Sequence, residues 1–132
     1  AMKRLLIDTN VYSEFKKGDE DVAAVLQRPD RILVSATVLG ELLAGFRCGS
    51  RTEKNVRELE EFLDTPRARF VGAGAITADY YGEIYRALRQ KGNPIPTNDM
   101  WIAAAALEHG ASLYSLDGHF DAIDGLLLEP SD

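Results

Sequence analysis

Four carboxylates in this chain stand where chemistry is usually done. Asp8 closes the apolar run "RLLID" (Arg4 to Asp8), and Asp117 follows "LYSL". Glu41 lies in an apolar stretch that begins at Thr37. Asp99 leads "DMWIAAAALEHG", with no other charged or polar side chain before Glu108. Oxygen donors without His or Cys suit the hard cations Mg2+ or Mn2+. Such ions, held by carboxylates, lower the pKa of a bound water, orient it in line with a phosphorus and stabilise the departing oxygen, so no protein nucleophile is needed.

Each acid also has an ordinary structural reading. Asp is favoured at turns and in first helical turns, where exposed N–H groups reward negative charge. A glutamate such as Glu41 is common on a solvated helix face. The chemical reading requires the four to meet. Like charges at about 4 Å repel by about 1 kcal/mol per pair in water and about 4 at an effective dielectric of 20, so a cluster either raises its own pKa values or captures cations. Thr9 and Asn10 after Asp8, Asn98 beside Asp99, and Ser115 before Asp117 are the short polar neighbours that would orient ligands or waters.

The positioning elements follow from periodicity. "RLLID" and "RILVS" (Arg31 to Ser35) are apolar runs typical of buried strands, as are "ARFVGA" and "ASLYS" (Ala111 to Ser115), with "LLLE" as a fifth. Between them, "VYSEFKKG" is predicted helical to Gly18, and "DEDVAAVLQRP" to Pro29. Val38, Leu39, Leu42, Leu43 and Phe46 have helical spacing from Thr37 to about Arg47, stopped by Gly49. A polar helix spans Thr52 to Leu63. A long one, "TADYYGEIYRALRQKG", is expected to be capped by Thr77 or Asp79 and ended by Gly92. The helix led by Asp99 is apolar all round and therefore buried. Strands alternating with helices imply an α/β fold whose mainly parallel sheet is covered on both faces. In such sheets ligands bind beyond the carboxyl ends of the strands, where Asp8 and Asp117 fall; the helix of Glu41 starts from the same edge.

At 132 residues the chain fits one domain, expected over 2–132, with Ala1 before Met2 read as a remnant of tag removal. No run is long and apolar enough to span a membrane, so a soluble, cytoplasmic protein is expected. The single Cys48 cannot form an internal disulfide and is expected to be a small buried side chain, in keeping with a reducing compartment. The net charge of −6 argues against a protein that simply coats nucleic acid, although metal ions among the acids would offset the repulsion of a phosphate.

Other motifs carry less. "GAGAIT" lacks the third glycine and the acid of a dinucleotide loop and reads as a turn. "DTN" is also reminiscent of phosphatases with an aspartyl nucleophile, but Asn10 stands where those carry a second Asp. His109 sits near a helix end, where it favours the dipole. His119, close to Asp117, is a candidate contact to a substrate phosphate. Arg86, Arg89 and Lys91 lead into the "NPIP" loop before Asp99 and are candidate phosphate contacts. Arg47, Arg51, Lys54 and Arg57 read as a solvated surface. Tyr80, Tyr81 and Tyr85, on one helix face, read as packing or dimer contacts.

Taken in order, "LIDTN", the glutamate in the helix after the second strand, "NDMWIAAAAL" and "LYSLDGHFDAIDGLLL" resemble the PIN-domain ribonucleases, and within them the VapC toxins of toxin–antitoxin pairs. The resemblance covers nearly the whole chain. It implies a PIN-like three-layer α/β/α sandwich and a Mg2+- or Mn2+-dependent endoribonuclease with Asp8, Glu41, Asp99 and Asp117 as its acidic quartet. The fourth acid varies in the family, and Asp121 is the alternative. It further implies homodimers, structured RNA substrates such as tRNA or ribosomal RNA, and inhibition by a VapB-type antitoxin through which alone operator DNA is bound. Two rival readings are a small phosphatase using Asp8 as nucleophile and a catalytically silent antitoxin-binding domain.

Overall fold

Leu5, Leu6 and Ile7 are all fully buried. Successive side chains of a strand point to opposite faces, so the strand they form, β1 (Arg4–Ile7), is covered on both sides. The same holds for β2 (Arg31–Ser35), buried from Ile32 to Ser35. The computed structural model describes residues 3–129. Ala1, with its reading as a tag remnant, and the two ends of the expected 2–132 domain lie outside the described residues.

The remaining strands are β3 (Ala68–Val71), β4 (Ser112–Tyr114) and β5 (Leu128–Glu129). All pair in parallel, in the order β3-β2-β1-β4-β5. The sheet is therefore parallel throughout its described strands rather than mainly so. Its helices are α1 (Thr9–Lys16), α2 (Glu20–Leu26), α3 (Ala36–Cys48), α4 (Thr52–Leu63), α5 (Ala75–Lys91) and α6 (Thr97–Glu108). With both faces of the central strands buried, these make the layers of an α/β/α sandwich. No helix of the described residues is long and apolar enough to cross a membrane.

Local chemistry sets the helix starts. Asp8 caps α1 by accepting the Thr9 N–H at 2.8 Å, and Ser35 caps α3 by accepting the Val38 N–H at 3.2 Å. Both caps terminate a strand, so each strand passes into its helix without a loop. In α6, Met100, Ile102 and Ala103 to Ala106 are buried, and the small alanines let the helix lie close to its neighbours.

Four expectations need correction. The N-cap of α5 is Gly74 rather than Thr77 or Asp79: the helix starts at Ala75, and Thr77 takes part in the cap from inside the first turn, its Oγ1 accepting the Gly74 N–H at 3.0 Å. Hence only the first half of "GAGAIT" is a turn. The helix carrying Asp99 begins at Thr97, and Asp99 lies in its first turn. Cys48 is exposed; α3 buries the side that carries Val38 and Leu42, and residue 48 falls on the other side at 100° per residue.

Candidate active site

Strand order reverses at β1: β2 and β3 lie on one side, β4 and β5 on the other. The crevice beyond the carboxyl ends of β1 and β4 is the topological switch point of this sheet. Asp8 leaves β1 there, with its N–H bonded to the Tyr114 carbonyl of β4 at 2.9 Å. Asp8 is 6 % exposed, and each of its carboxylate oxygens accepts one hydrogen bond. Oδ1 accepts the Thr9 N–H, and Oδ2 accepts the Ser115 hydroxyl at 2.7 Å. Ser115 Oγ in turn accepts the Asp117 N–H at 3.1 Å. Asn10 Oδ1 accepts the Leu116 N–H at 3.2 Å, a second tie between the two strand exits.

The other two acids arrive from α3 and α6. Glu41 Oε1 accepts the Thr9 hydroxyl at 2.6 Å, and its Oε2 accepts Asn98 Nδ2 at 3.3 Å. Asp99, one residue after Asn98, has its Oδ2 2.7 Å from His119 Nδ1. The same imidazole nitrogen lies 3.1 Å from Asp117 Oδ1, which also accepts the His119 N–H at 2.8 Å. Glu41, Thr9, Asp8, Ser115, Asp117, His119 and Asp99 thus form one connected polar chain drawn from four separate parts of the sequence.

Electrostatics follow from this packing. Burial pushes the Asp8 carboxyl above its usual range, against the hydrogen bonds from Ser115 and Thr9, and the negative charges of Asp99 and Glu41 push it further. His119 is raised chiefly by its hydrogen bond to Asp99; desolvation opposes this next, and the charges of Asp117, Asp99 and Asp8 add to the rise. A buried carboxylate that other carboxylates repel gains from a cation beside it. The carboxylates of Asp8, Glu41, Asp99 and Asp117 are hard oxygen donors, the kind that a divalent ion such as Mg2+ or Mn2+ takes. Asp99, Asp117 and His119 offer donor atoms that lie within 4.8 Å of one another.

Of the supporting residues expected from the sequence, Thr9, Asn98 and Ser115 hydrogen-bond to the acids, and Asn10 bonds the Leu116 N–H beside them. Asp121 is exposed in the 3-10 turn Gly118–Ala122 and makes no hydrogen bond to the four acids among the described residues. The basic candidates stand apart from the polar chain. Arg86 pairs with Glu83 at 3.3 Å, and Lys91 with Asp124 at 2.9 Å and with the Ala122 carbonyl. Arg89 is exposed on α5. Tyr81 stacks on Trp101 of α6 with ring centroids 4.3 Å apart, a packing role.

Sequence reasoning missed the partnership of His119 with Asp99, having assigned His119 only to substrate. The available signal was an Asp-x-His spacing just past a strand end, which puts both side chains on one short turn.

Comparison with known proteins agrees with this geometry. A family profile describing the PIN domain matches residues 5–126. The chain is 33 % identical over 129 residues to Ribonuclease VapC2 of Rickettsia felis, covering 94 % of this chain and 95 % of that protein. It is 28 % identical to Ribonuclease VapC4 of Mycobacterium tuberculosis, covering 92 % of each. Among solved structures it is similar to VapBC2 from Rickettsia felis bound to a promoter DNA fragment, with a TM-score of 0.85 at 30 % identity, covering 98 % of this chain and 99 % of that one. The chain belongs to the PIN-domain family, on the branch of the VapC ribonucleases.

Proposed function

We propose that this protein is a toxin endoribonuclease that hydrolyses phosphodiester bonds of structured RNA, tRNA or ribosomal RNA, with the help of Mg2+ or Mn2+. The observation that carries this reading is the connected chain of Asp8, Glu41, Asp99 and Asp117 at the switch point of the sheet.

Asp8, Glu41, Asp99 and Asp117 would hold the ion. When bound, a divalent ion supplies a water of lowered pKa and positive charge for the leaving oxygen. The residues of the chain do the rest. Asp8 is fixed in one rotamer by Thr9 and Ser115, so its position does not change as charge develops on the substrate. Thr9 and Asn98 hold both oxygens of Glu41, which leaves this longer side chain little freedom. Burial of Asp8 and the partly covered Asp99 limit bulk water on one side of the crevice, which strengthens electrostatic interactions there.

Similarity to VapBC complexes, one of them DNA-bound, supports a VapB-type antitoxin as inhibitor and operator DNA contact through that partner only. The protein would act as a homodimer in the cytoplasm. Arg86, Arg89 and Lys91 are the proposed contacts to RNA. Asn10 bonds the Leu116 N–H, so no second carboxylic acid stands two residues from Asp8 to serve as the proton donor of an aspartyl phosphatase.

The test is RNA cleavage by purified antitoxin-free protein. Asp8→Asn is expected to lose at least a hundredfold in rate, and EDTA to stop the parent until Mg2+ or Mn2+ is returned. Equal cleavage by mutant and parent, or full activity in excess EDTA, would refute the reading.

A further inference from the structure

His119 contributes the nitrogen atom nearest the carboxylates of this site. Its Nδ1 faces two of them, at 2.7 Å from Asp99 Oδ2 and 3.1 Å from Asp117 Oδ1. Donors that share an edge of an octahedron with ~2.1 Å bonds stand ~3.0 Å apart, which is close to both distances from Nδ1, and all three donor atoms lie within 4.8 Å of one another. The backbone that carries the ring is held at two points: the main-chain N–H of His119 donates to Asp117 Oδ1, and Phe120, next in the turn, is buried at 1 % exposure. The imidazole is therefore presented to the crevice by an anchored turn.

We propose that His119 Nδ1 is a direct metal ligand beside Asp99 and Asp117, and that this site consequently takes Mn2+ in preference to Mg2+. The inference rests on the reading of the four acids as a metal-binding set and adds to it a ligand and a selectivity. Mg2+ keeps to oxygen donors and gives up its waters reluctantly, whereas first-row transition ions accept imidazole. A carboxylate-only set gives no strong reason for a choice between the two ions; a nitrogen beside two carboxylates does. Ligation uses the neutral imidazole with Nδ1 unprotonated, so the single ring proton sits on Nε2 in the metal-bound form. The competing role for the same geometry is that of a cation: His119 as an imidazolium that neutralises Asp99 and Asp117 and must be displaced by metal.

The two roles have opposite signatures. Metal-free full-length protein is titrated with MnCl2 and with MgCl2 by calorimetry, and the Mn2+ complex is examined by pulsed electron paramagnetic resonance for nitrogen coupling. The wild type is expected to bind Mn2+ at least tenfold more tightly than Mg2+ and to show coupling to a directly bound imidazole. In His119→Ala that coupling disappears, Mn2+ affinity falls about tenfold or more, and Mg2+ affinity moves by less than about twofold. A wild-type Mn2+ complex without bound nitrogen overturns the inference, as does a variant that binds both ions more tightly. Binding of neither ion by the wild type overturns the reading of the acids as well, whereas binding of Mn2+ through oxygen alone overturns only the role of His119. The nitrogen coupling is read on the unmutated protein, so it does not depend on the folding of any variant.

Discussion

Ser115 donates a 2.7 Å hydrogen bond to Asp8 across 107 positions of sequence, and the same oxygen receives the Asp117 N–H at 3.1 Å. One hydroxyl therefore sets the placement of two acids at adjacent strand exits. Ser115→Ala is expected to keep the fold and lose about 10–100-fold in RNA cleavage, the usual range for removing a residue that orients metal-binding groups. A steady-state rate within twofold of the parent, with circular dichroism unchanged, would mean that Asp8 and Asp117 are held without it.

At Asp8 the proposed function and the stability of the fold oppose each other. Its carboxylate is buried and repelled by Asp99 and Glu41, and its pKa is pushed up, so the charged form costs the fold stability at neutral pH. In EDTA at pH 7, Asp8→Asn is expected to melt about 2–5 °C above the parent, as about 1 kcal/mol would produce in a domain of this size. Added Mn2+ should then raise the parent's melting temperature and leave the variant nearly unmoved. A variant that melts below the parent in EDTA contradicts this account.

Thr77 and Glu108 form a pair remote from the acids. Thr77, 1 % exposed, donates its hydroxyl to Glu108 and accepts the Gly74 N–H, joining the start of α5 to the end of α6. Thr77→Val keeps the shape and removes both bonds, so it is expected to cost about 1–3 kcal/mol by leaving polar groups unpaired. Urea titration measures this. The cleavage rate of the folded fraction should be that of the parent.

Tyr12 has a buried hydroxyl with no hydrogen-bond partner among the described residues, while its ring meets Phe62 edge-on at 5.3 Å. Burial, and then the charge of Glu58, push its pKa up to about 12. The unfolded tyrosine ionises near pH 10 and the folded one only near 12, so above pH 10 the unfolded state binds fewer protons and stability falls until about pH 12. Tyr12→Phe should be neutral or stabilising at pH 7 and should flatten that alkaline decline. An unchanged slope between pH 10 and 12 would assign it to other groups.

The strands and helices were legible because they depend on nearby residues. Unbroken apolar runs at Arg4–Ile7 and Arg31–Ser35 needed no partner to be recognised as strands buried on both faces. The nearness of Thr9, Asn98 and Ser115 to the acids was legible too, since each stands within two residues of an acid in the chain. Starts and exposures were less so. The first turn of α5 is set by a bond from the Gly74 N–H to a threonine inside the helix, and the exposure of Cys48 follows from which side of α3 the sheet covers.

Residue order already dictated the α/β alternation and put acids at the ends of β1 and β4, because hydrophobic periodicity and capping are local effects. It carried nothing about which strands become neighbours. Packing of the whole chain placed β1 beside β4, and with that pairing Ser115 came to bridge Asp8 and Asp117. The turn after β4, anchored by buried Phe120, then brought His119 against an acid of a different helix. Contacts of this kind depend on the closure of long loops and the burial of a shared core, and no short stretch of sequence encodes either.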